Sequence, residues 1–243
     1  MKVIIKSLLD LFDYFTQKKI LKEIKNQLKL ERPITLIDVG AHKGETIINF
    51  LKNFKTQNIY SFEASNDTYK ILKANVNNLK NQYYQTNIEI YNTAVGNSNE
   101  QKIFNELSDS NSSTFNLIDK NSSYFKRKNR ILSFFFKKDF LIKKNIVSHI
   151  RLSEFIKKKN FKLIDILKID TEGYEFEVLK GLEGSIKLVD FIYFEHHYDN
   201  MLKKNYKFSE IHDFLIENGF NGVFKIKMPL RKSFDYIYRK KKV

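Results

Sequence analysis

The sequence predicts an α/β protein built on an open, mostly parallel sheet with helices on both faces. Three observations lead there. From Ile34 to Gly96, short β-rich apolar runs alternate with longer runs at helical spacing. Two runs, "ITLIDVG" and "LIDILKID", are apolar for most of their length, as strands buried on both faces are. The stretch "LIDVGAHKGETIINF", Leu36 to Phe50, joins such a strand to a helix through two glycines four residues apart. A β-α-β-α-β alternation of this kind implies right-handed crossovers and parallel pairing.

Taken in order, residues 3–30 read as one amphipathic helix or two. Ile5, Leu8, Leu9, Phe12 and Phe15 share a face that Ile20, Leu21, Ile24 and Leu28 continue. Residues 1–32 form this helical segment, packed on the domain edge or laid on a membrane surface. Residues 33–243 form one domain, since no Pro/Gly/Ser-rich linker divides them. The strand "ITLIDVG" leads to the helix "ETIINFLKNF". The strand "NIYSFEA" leads to the helix "SNDTYKILKANVNNL", capped by Ser65 or Asn66. "NIEIYNTAVG" reads as a third strand, and "EQKIFNEL" as an extra extended segment before the polar loop "SDSNSSTFN". Residues 116–145 are a basic, aromatic-rich insertion. Alternation resumes with the strand "NIVSHI", the helix "RLSEFIKKK" and the strand "LIDILKID". Next come the helix "YEFEVLKGL", the strand "VDFIYFEHH" and the helix "FSEIHDFLIENGF", with Gly219 at its end. The strands "GVFKIKM" and "FDYIYRK" close the chain.

The net charge is +15, and nearly all of the surplus lies in two segments. Asn116 to Asn145 holds nine Lys/Arg against two Asp, and Lys225 to Val243 holds eight against one. Such segments suit an anionic partner, such as an acidic membrane, a phosphorylated carrier or nucleic acid, or they reflect lysine-rich composition alone. No known nucleic-acid motif accompanies them, so a nucleic-acid-binding module is the weaker reading. Peripheral contact with an anionic membrane stays open. There is no cysteine, hence no disulfide framework or thiolate metal site, which fits a cytoplasmic setting. No run of about 18 uncharged apolar residues suggests a spanning helix. The N-terminus, interrupted by Lys6, Asp10 and Asp13, is a poor signal peptide.

Ligands of open parallel sheets bind beyond the carboxyl ends of the strands. "DVGAHKG" sits at such an end. Gly40 and Gly44 let the backbone approach a ligand and let the helix start tightly. Asp38 is placed to order the loop or to accept a hydrogen bond from an ammonium. His42 lies within the loop, where covering the ligand with backbone suits it better than catalysis. Glu63 ends the second strand, 23 residues after Gly40, where an acid can accept bonds from both ribose hydroxyls. The fingerprint G-x-G-x-x-G is absent, which disfavours a nicotinamide oxidoreductase and favours S-adenosylmethionine (SAM). Asp170 and Glu172, in "ILKIDTEGYEFEVLKG", fall just past a buried strand on the same edge. They suit a metal, the cofactor's amino-acid moiety or a substrate hydroxyl. Glu195 and His196, in "YFEHHYD", emerge at the end of a later strand, where a histidine near neutral pKa suits proton removal. A divalent cation such as Mg²⁺ on Asp170, Glu172 and Glu195 is the alternative.

"DVGAHKG", Glu63, "NSSTFN" and "LKIDTEGYEFEVLKG" together resemble the FkbM-type SAM-dependent methyltransferases over about residues 34–198. The resemblance implies a Rossmann-like class I methyltransferase fold with a seven-stranded sheet and an antiparallel last strand. It implies O-methylation, with a sugar, a glycan or another small hydroxylated acceptor as partner. By position, Asp38, Gly40 and Gly44 match the cofactor turn, with His42 within the loop, and Glu63 matches the ribose ligand. Thr93 and Ala94, expected to end the third strand, match the adenine contact, and Asp170 and Glu172 match the acid pair at the reaction edge. The sequence names neither the acceptor nor an oligomeric state.

Overall fold

A computed structural model describes residues 2–28, 32–107, 112–136, 142–229 and 231–241. Its centre is a seven-stranded sheet. The strands β1 (Ile34–Val39), β2 (Thr56–Phe62) and β3 (Asn87–Tyr91) run outward in one direction, joined by α2 (Glu45–Asn53) and α3 (Asn66–Gln82). The chain then returns across the sheet to β8 (Ile164–Ile169) and β9 (Val189–His197), with α6 (Glu175–Lys180) between them. After α7 (Phe208–Glu217) come β11 (Phe220–Lys227) and β12 (Ser233–Lys240). The strand order is β11-β12-β9-β8-β1-β2-β3, and β12 alone runs against its neighbours. This is the expected seven-stranded sheet. The direction of winding reverses between β1 and β8, which makes that edge the switch point.

Strand residues alternate between the two faces, and the core divides accordingly. Ile37, Leu167, Ile192 and Phe194 face a layer with α7 and α5 (Leu152–Lys159). Leu36, Ile166, Phe191 and Ile237 face the opposite layer, with α2, α3 and α1 (Lys2–Leu28). In α1, a single continuous helix, Ile20, Leu21, Ile24 and Leu28 are buried as expected. Phe15, placed on that face by sequence, is 52% exposed beside an exposed Tyr14, while Thr16 turns inward. The side chains of Ile5, Leu8, Leu9 and Phe12 lie outside the described residues.

Two expectations are corrected. "NIEIYNTAVG" is not one strand. β3 ends at Tyr91, and the Asn92 side chain donates to the Glu63 carbonyl at 3.0 Å, which turns the chain away. Ala94 then opens β4 (Ala94–Gly96), so Thr93 lies in the turn between two sheets. "NIVSHI" does not rejoin the main sheet. It lies in β7 (Ile142–Arg151), which pairs parallel with β4 and antiparallel with β5 (Glu100–Leu107) in a separate three-stranded sheet. The basic insertion folds as β6 (Leu117–Ile118), α4 (Ser123–Phe136) and the start of β7. It is anchored where β6 pairs with β10 (Leu202–Lys203) and Phe125 packs on Leu107, Met201 and Leu202. Lys126, Arg127 and Arg130 are left on its exposed face.

If α1 is part of the core, Ile24→Ala should unfold the whole domain more easily. Ile24 is fully buried against the sheet, so the expected loss is about 2–5 kcal/mol in urea titration followed by circular dichroism. An unchanged midpoint would make α1 a separately folding appendage.

Candidate active site

β1 and β8 approach closely at the switch point. The Asp170 amide donates to the Val39 carbonyl at 2.9 Å, and the Gly40 and Ala41 amides both donate to the Phe62 carbonyl, at 3.0 and 2.9 Å. Gly40 has φ +84°, and a Cβ there would stand 1.8 Å from the Asp170 carbonyl oxygen. No side chain fits, so glycine is what lets the two strand ends close. Gly44, φ +97°, caps α2 in the left-handed conformation.

A cleft of about 410 Å³ opens at this edge. Gly40, His42, Glu63, Thr93 and Ala94 line one half, and Asp170, Glu172 and Glu195 the other. Asp38, Gly44 and His196 do not reach it.

Glu63 organises the first half. Its carboxylate accepts from the His42 amide at 2.9 Å and the Ser65 amide at 2.8 Å, tying the glycine loop to the start of α3. Burial pushes its pKa up to about 7, against the pull of those amides. Two of its four lone-pair sites are thus used, and the rest remain for a ligand. His42 is held beside Glu45, with Nδ1 3.1 Å from its carboxylate. The Thr93 hydroxyl donates to the Ser148 carbonyl at 2.9 Å, which links the two sheets at the rim of the cleft.

Asp38 is fully buried. Its partner is Lys168, directly across the β1–β8 ladder, whose Nζ lies 3.3 Å from Asp38 and 3.3 Å from Asp170. Burial works against the lysine's charge, but the two carboxylates outweigh it and hold its pKa above the usual value. The ammonium expected near Asp38 is therefore the chain's own. Sequence reasoning missed Lys168, although a lysine inside an otherwise apolar strand was the available signal.

The turn after β8 carries Glu172 in the left-handed region, φ 51°. Thr114 Oγ1 donates to its carbonyl at 2.6 Å, and Asn116 Nδ2 donates to the Gly173 carbonyl at 2.7 Å. The Gly173 amide donates to buried Glu175 at 2.8 Å. The loop "NSSTFN" thus clamps the acid turn in its strained form, a role for Thr114 and Asn116 that their sequence gave no reason to assign.

Parity along β9 sorts the remaining residues. Glu195 and His197 share a face with Tyr193, whereas His196 points to the other side. There His196 is buried among Tyr198, Tyr206 and Phe208, and burial lowers its pKa to about 3. The structure does not bring the expected base to the cleft. His197 is the histidine of this corner. Its Nε2 lies 3.3 Å from Glu172 and 3.8 Å from Glu195, and its Nδ1 lies 3.5 Å from Asp199. Burial opposes its charge, but Glu172, Glu195 and Asp199 prevail and raise its pKa to about 10. Burial in turn pushes Glu172 up to about 8, with His197 pulling it down. Among the described residues, no group of three or more His, Asp or Glu side chains is arranged to hold a metal ion. Asp170 turns to Lys168, while Glu172 and Glu195 turn to His197.

The strand order, the single antiparallel strand and the cleft at the switch point define a Rossmann-like α/β fold of the class I methyltransferase type. The chain belongs to the methyltransferase FkbM domain family, which matches residues 38–221. Among solved structures it is similar to the methyltransferase FkbM from Methylobacillus flagellatus KT, with 11% identity and TM-score 0.54, over 85% of this chain and 44% of that one. The chain thus spans less than half the length of that protein. It is also similar to magnesium protoporphyrin IX methyltransferase from Synechocystis PCC 6803 with bound SAM (9% identity, TM-score 0.53, 95% of this chain and 81% of that one). A third likeness is to M. capricolum TrmK with S-adenosyl-homocysteine, SAH (12% identity, TM-score 0.50, 91% and 68%). No curated protein matches the chain in sequence. No helix among the described residues is long and apolar enough to cross a membrane.

Stability should fall with rising pH across this site. Folding raises His197 from 6.5 to about 10, so its contribution is complete below pH 6.5 and is lost as pH rises through 10. Glu172, raised from 4.5 to about 8, loses stability in the same direction at lower pH. Urea midpoints measured from pH 6.5 to 10 should decline, and the decline should be shallower in His197→Gln. Parallel curves would mean that His197 is not held protonated.

Proposed function

We propose that the protein transfers a methyl group from SAM to a hydroxyl of a sugar or glycan. The carrying observation is that one cleft joins the glycine turn and Glu63 to a corner of buried carboxylates. Bound SAM supplies an electrophilic methyl on its sulfonium. The free lone pairs of Glu63 suit two ribose hydroxyls, and the Gly40 turn, closed against the Asp170 carbonyl, forms the backbone wall beside them. Asp38 is committed to Lys168 and acts through it, fixing Asp170 at the rim.

Methyl transfer to oxygen requires the acceptor hydroxyl to lose its proton as the bond forms. Glu172 is the base in this reading. It faces the cleft, and a carboxylate raised to about 8 is matched to proton removal near neutral pH. His197, protonated behind it, balances the charge that a divalent cation would otherwise carry. Carboxylates along this wall also repel phosphates, which counts against a nucleic-acid backbone as the acceptor.

Calorimetry should detect SAM and SAH binding and no NAD binding, and the reverse pattern would end this reading. Glu63→Ala should weaken SAM binding by about 1–3 kcal/mol. With an accepted glycan, turnover should rise with pH through about 8, and Glu172→Gln should lower kcat by roughly a hundredfold or more. His197→Gln should move the profile to higher pH, since the imidazolium pulls Glu172 down. EDTA should leave the rate unchanged. A loss restored by Mg²⁺ would replace His197 by a metal in this scheme.

A further inference from the structure

The cleft extends beyond residues 38–221, the span matched to the family. Asp13 and Gln17 of α1, Met228 and Arg231 of the β11–β12 connection, and Asp235 of β12 all line it, and all fall outside the matched span 38–221. They form a compartment of their own. Its floor is Tyr193 and Glu195 on β9 with Asp235 on β12, where Glu195 and Asp235 are direct partners across the antiparallel ladder. Directly opposed residues project from the same face, so the two carboxylates stand side by side. Its roof is α1. Gln17 Nε2 donates to the Tyr193 hydroxyl at 3.3 Å, and Arg231 reaches Asp13 at 2.7 Å, tying the β11–β12 connection to the helix.

The charges of this compartment do not balance within it. Lys168 pairs with Asp38 and Asp170, and Arg231 pairs with Asp13 while its charge is also felt by Glu195 and Asp235 without a direct hydrogen bond to either. Glu195 and Asp235 are 7% and 2% exposed. One oxygen of each, Glu195 Oε1 and Asp235 Oδ2, is buried with no hydrogen-bond partner. His197 Nε2 lies 3.8 Å from Glu195 Oε1, beyond hydrogen-bond reach, and is shared with Glu172. Buried oxygens of this kind carry a large desolvation cost unless a donor meets them. Glu195 and Asp235 both line the cleft, so a ligand seated there can supply the donor.

We propose that this compartment binds the ammonium group of an amine-bearing acceptor, an amino sugar or related amino alcohol, between Glu195 and Asp235 beneath α1. The proposal rests on the methyltransferase reading of the same cleft and names its substrate class. Burial and the neighbouring Glu195 raise the Asp235 carboxyl well above the usual carboxylate range, so the empty pair holds a proton; an ammonium brings donors to both carboxylates and a charge that takes the place of that proton. A neutral hydroxyl brings one donor and no charge, and an acceptor with a phosphate or carboxylate here would be repelled. A protonated amine has no lone pair to attack a methyl group, so it anchors the acceptor, and a neighbouring hydroxyl loses its proton to the Glu172 carboxylate as its oxygen bonds the methyl carbon and the sulfonium C–S bond breaks, leaving SAH.

The test uses the full chain saturated with SAH. Affinities of glucosamine and galactosamine are compared with those of glucose and galactose by saturation-transfer NMR and calorimetry. Each amine should bind at least tenfold more tightly than its neutral counterpart. Asp235→Asn should reduce the preference to less than threefold with SAH affinity unchanged. Asp13→Asn, at the half-exposed end of the compartment, should weaken amine binding by freeing the Arg231 charge, and it keeps the test available if the buried variant misfolds. Equal binding of both members of each pair, or SAH binding without amine binding, would overturn the proposal alone. A chain that binds neither SAM nor SAH would overturn the methyltransferase reading on which it rests.

Discussion

The site depends on one buried ammonium. Lys168 stands in the middle of the sheet between Asp38 on β1 and Asp170 at the end of β8, where the direction of winding reverses. Without it, a fully buried carboxylate and its neighbour across the switch point would face each other in a low-dielectric interior, and removing one partner of such a set typically costs about 3–5 kcal/mol. With it, the strand ends are drawn together until the Asp170 amide reaches the Val39 carbonyl, and only glycine fits at position 40. The glycine turn is therefore as much a consequence of how β1 and β8 are joined as a provision for a ligand. The same contact fixes where Asp170 stands, and so where the acid turn begins.

From that point the alternation of strands distributes the chemistry. On the face that carries Leu36, Ile166, Phe191 and Ile237 deeper in the core, the carboxyl edge turns polar, with Asp38, Lys168, Glu195 and Asp235 in adjacent strands. On the other face the same edge stays aromatic, with Phe194, Tyr236 and the buried His196. One sheet thus separates a charged cleft from an apolar layer within the thickness of a strand. The clamp from Thr114 and Asn116 then determines that Glu172 leans back over the charged side, toward His197.

Much of this was legible in the sequence. A near-continuous apolar strand, a glycine turn and an acid after the second strand are local patterns, and each lies within a few residues of the structure it produces. The acid turn was equally visible, because "DTEG" sits at the end of a strand that announces itself. What was not legible depended on parity and on distant partners. His196 and His197 are adjacent in sequence, and only the phase of β9 decides which of them meets Glu172. The split between β3 and β4 follows from a side-chain bond between Asn92 and Glu63, which no periodicity encodes. Lys168 looked like a flaw in an apolar run because its partner lies 130 residues away. Asp13, Gln17, Arg231 and Asp235 meet only because α1 and the last hairpin close over the same strand ends.

Charge shows the same difference between composition and place. The surplus that makes the chain +15 lies largely on exposed faces, such as Lys126, Arg127 and Arg130 on α4 and Lys225 and Lys227 on β11. Exposed charges are screened within about 8–10 Å at physiological salt and have little influence in a partly enclosed cleft. The field in the cleft is set by groups a few ångströms apart at low dielectric, and there carboxylates outnumber their partners. A strongly basic protein can therefore hold an acidic reaction site without contradiction. The basic surplus and the carboxylates beneath α1 belong to separate electrostatic environments, so neither cancels the other.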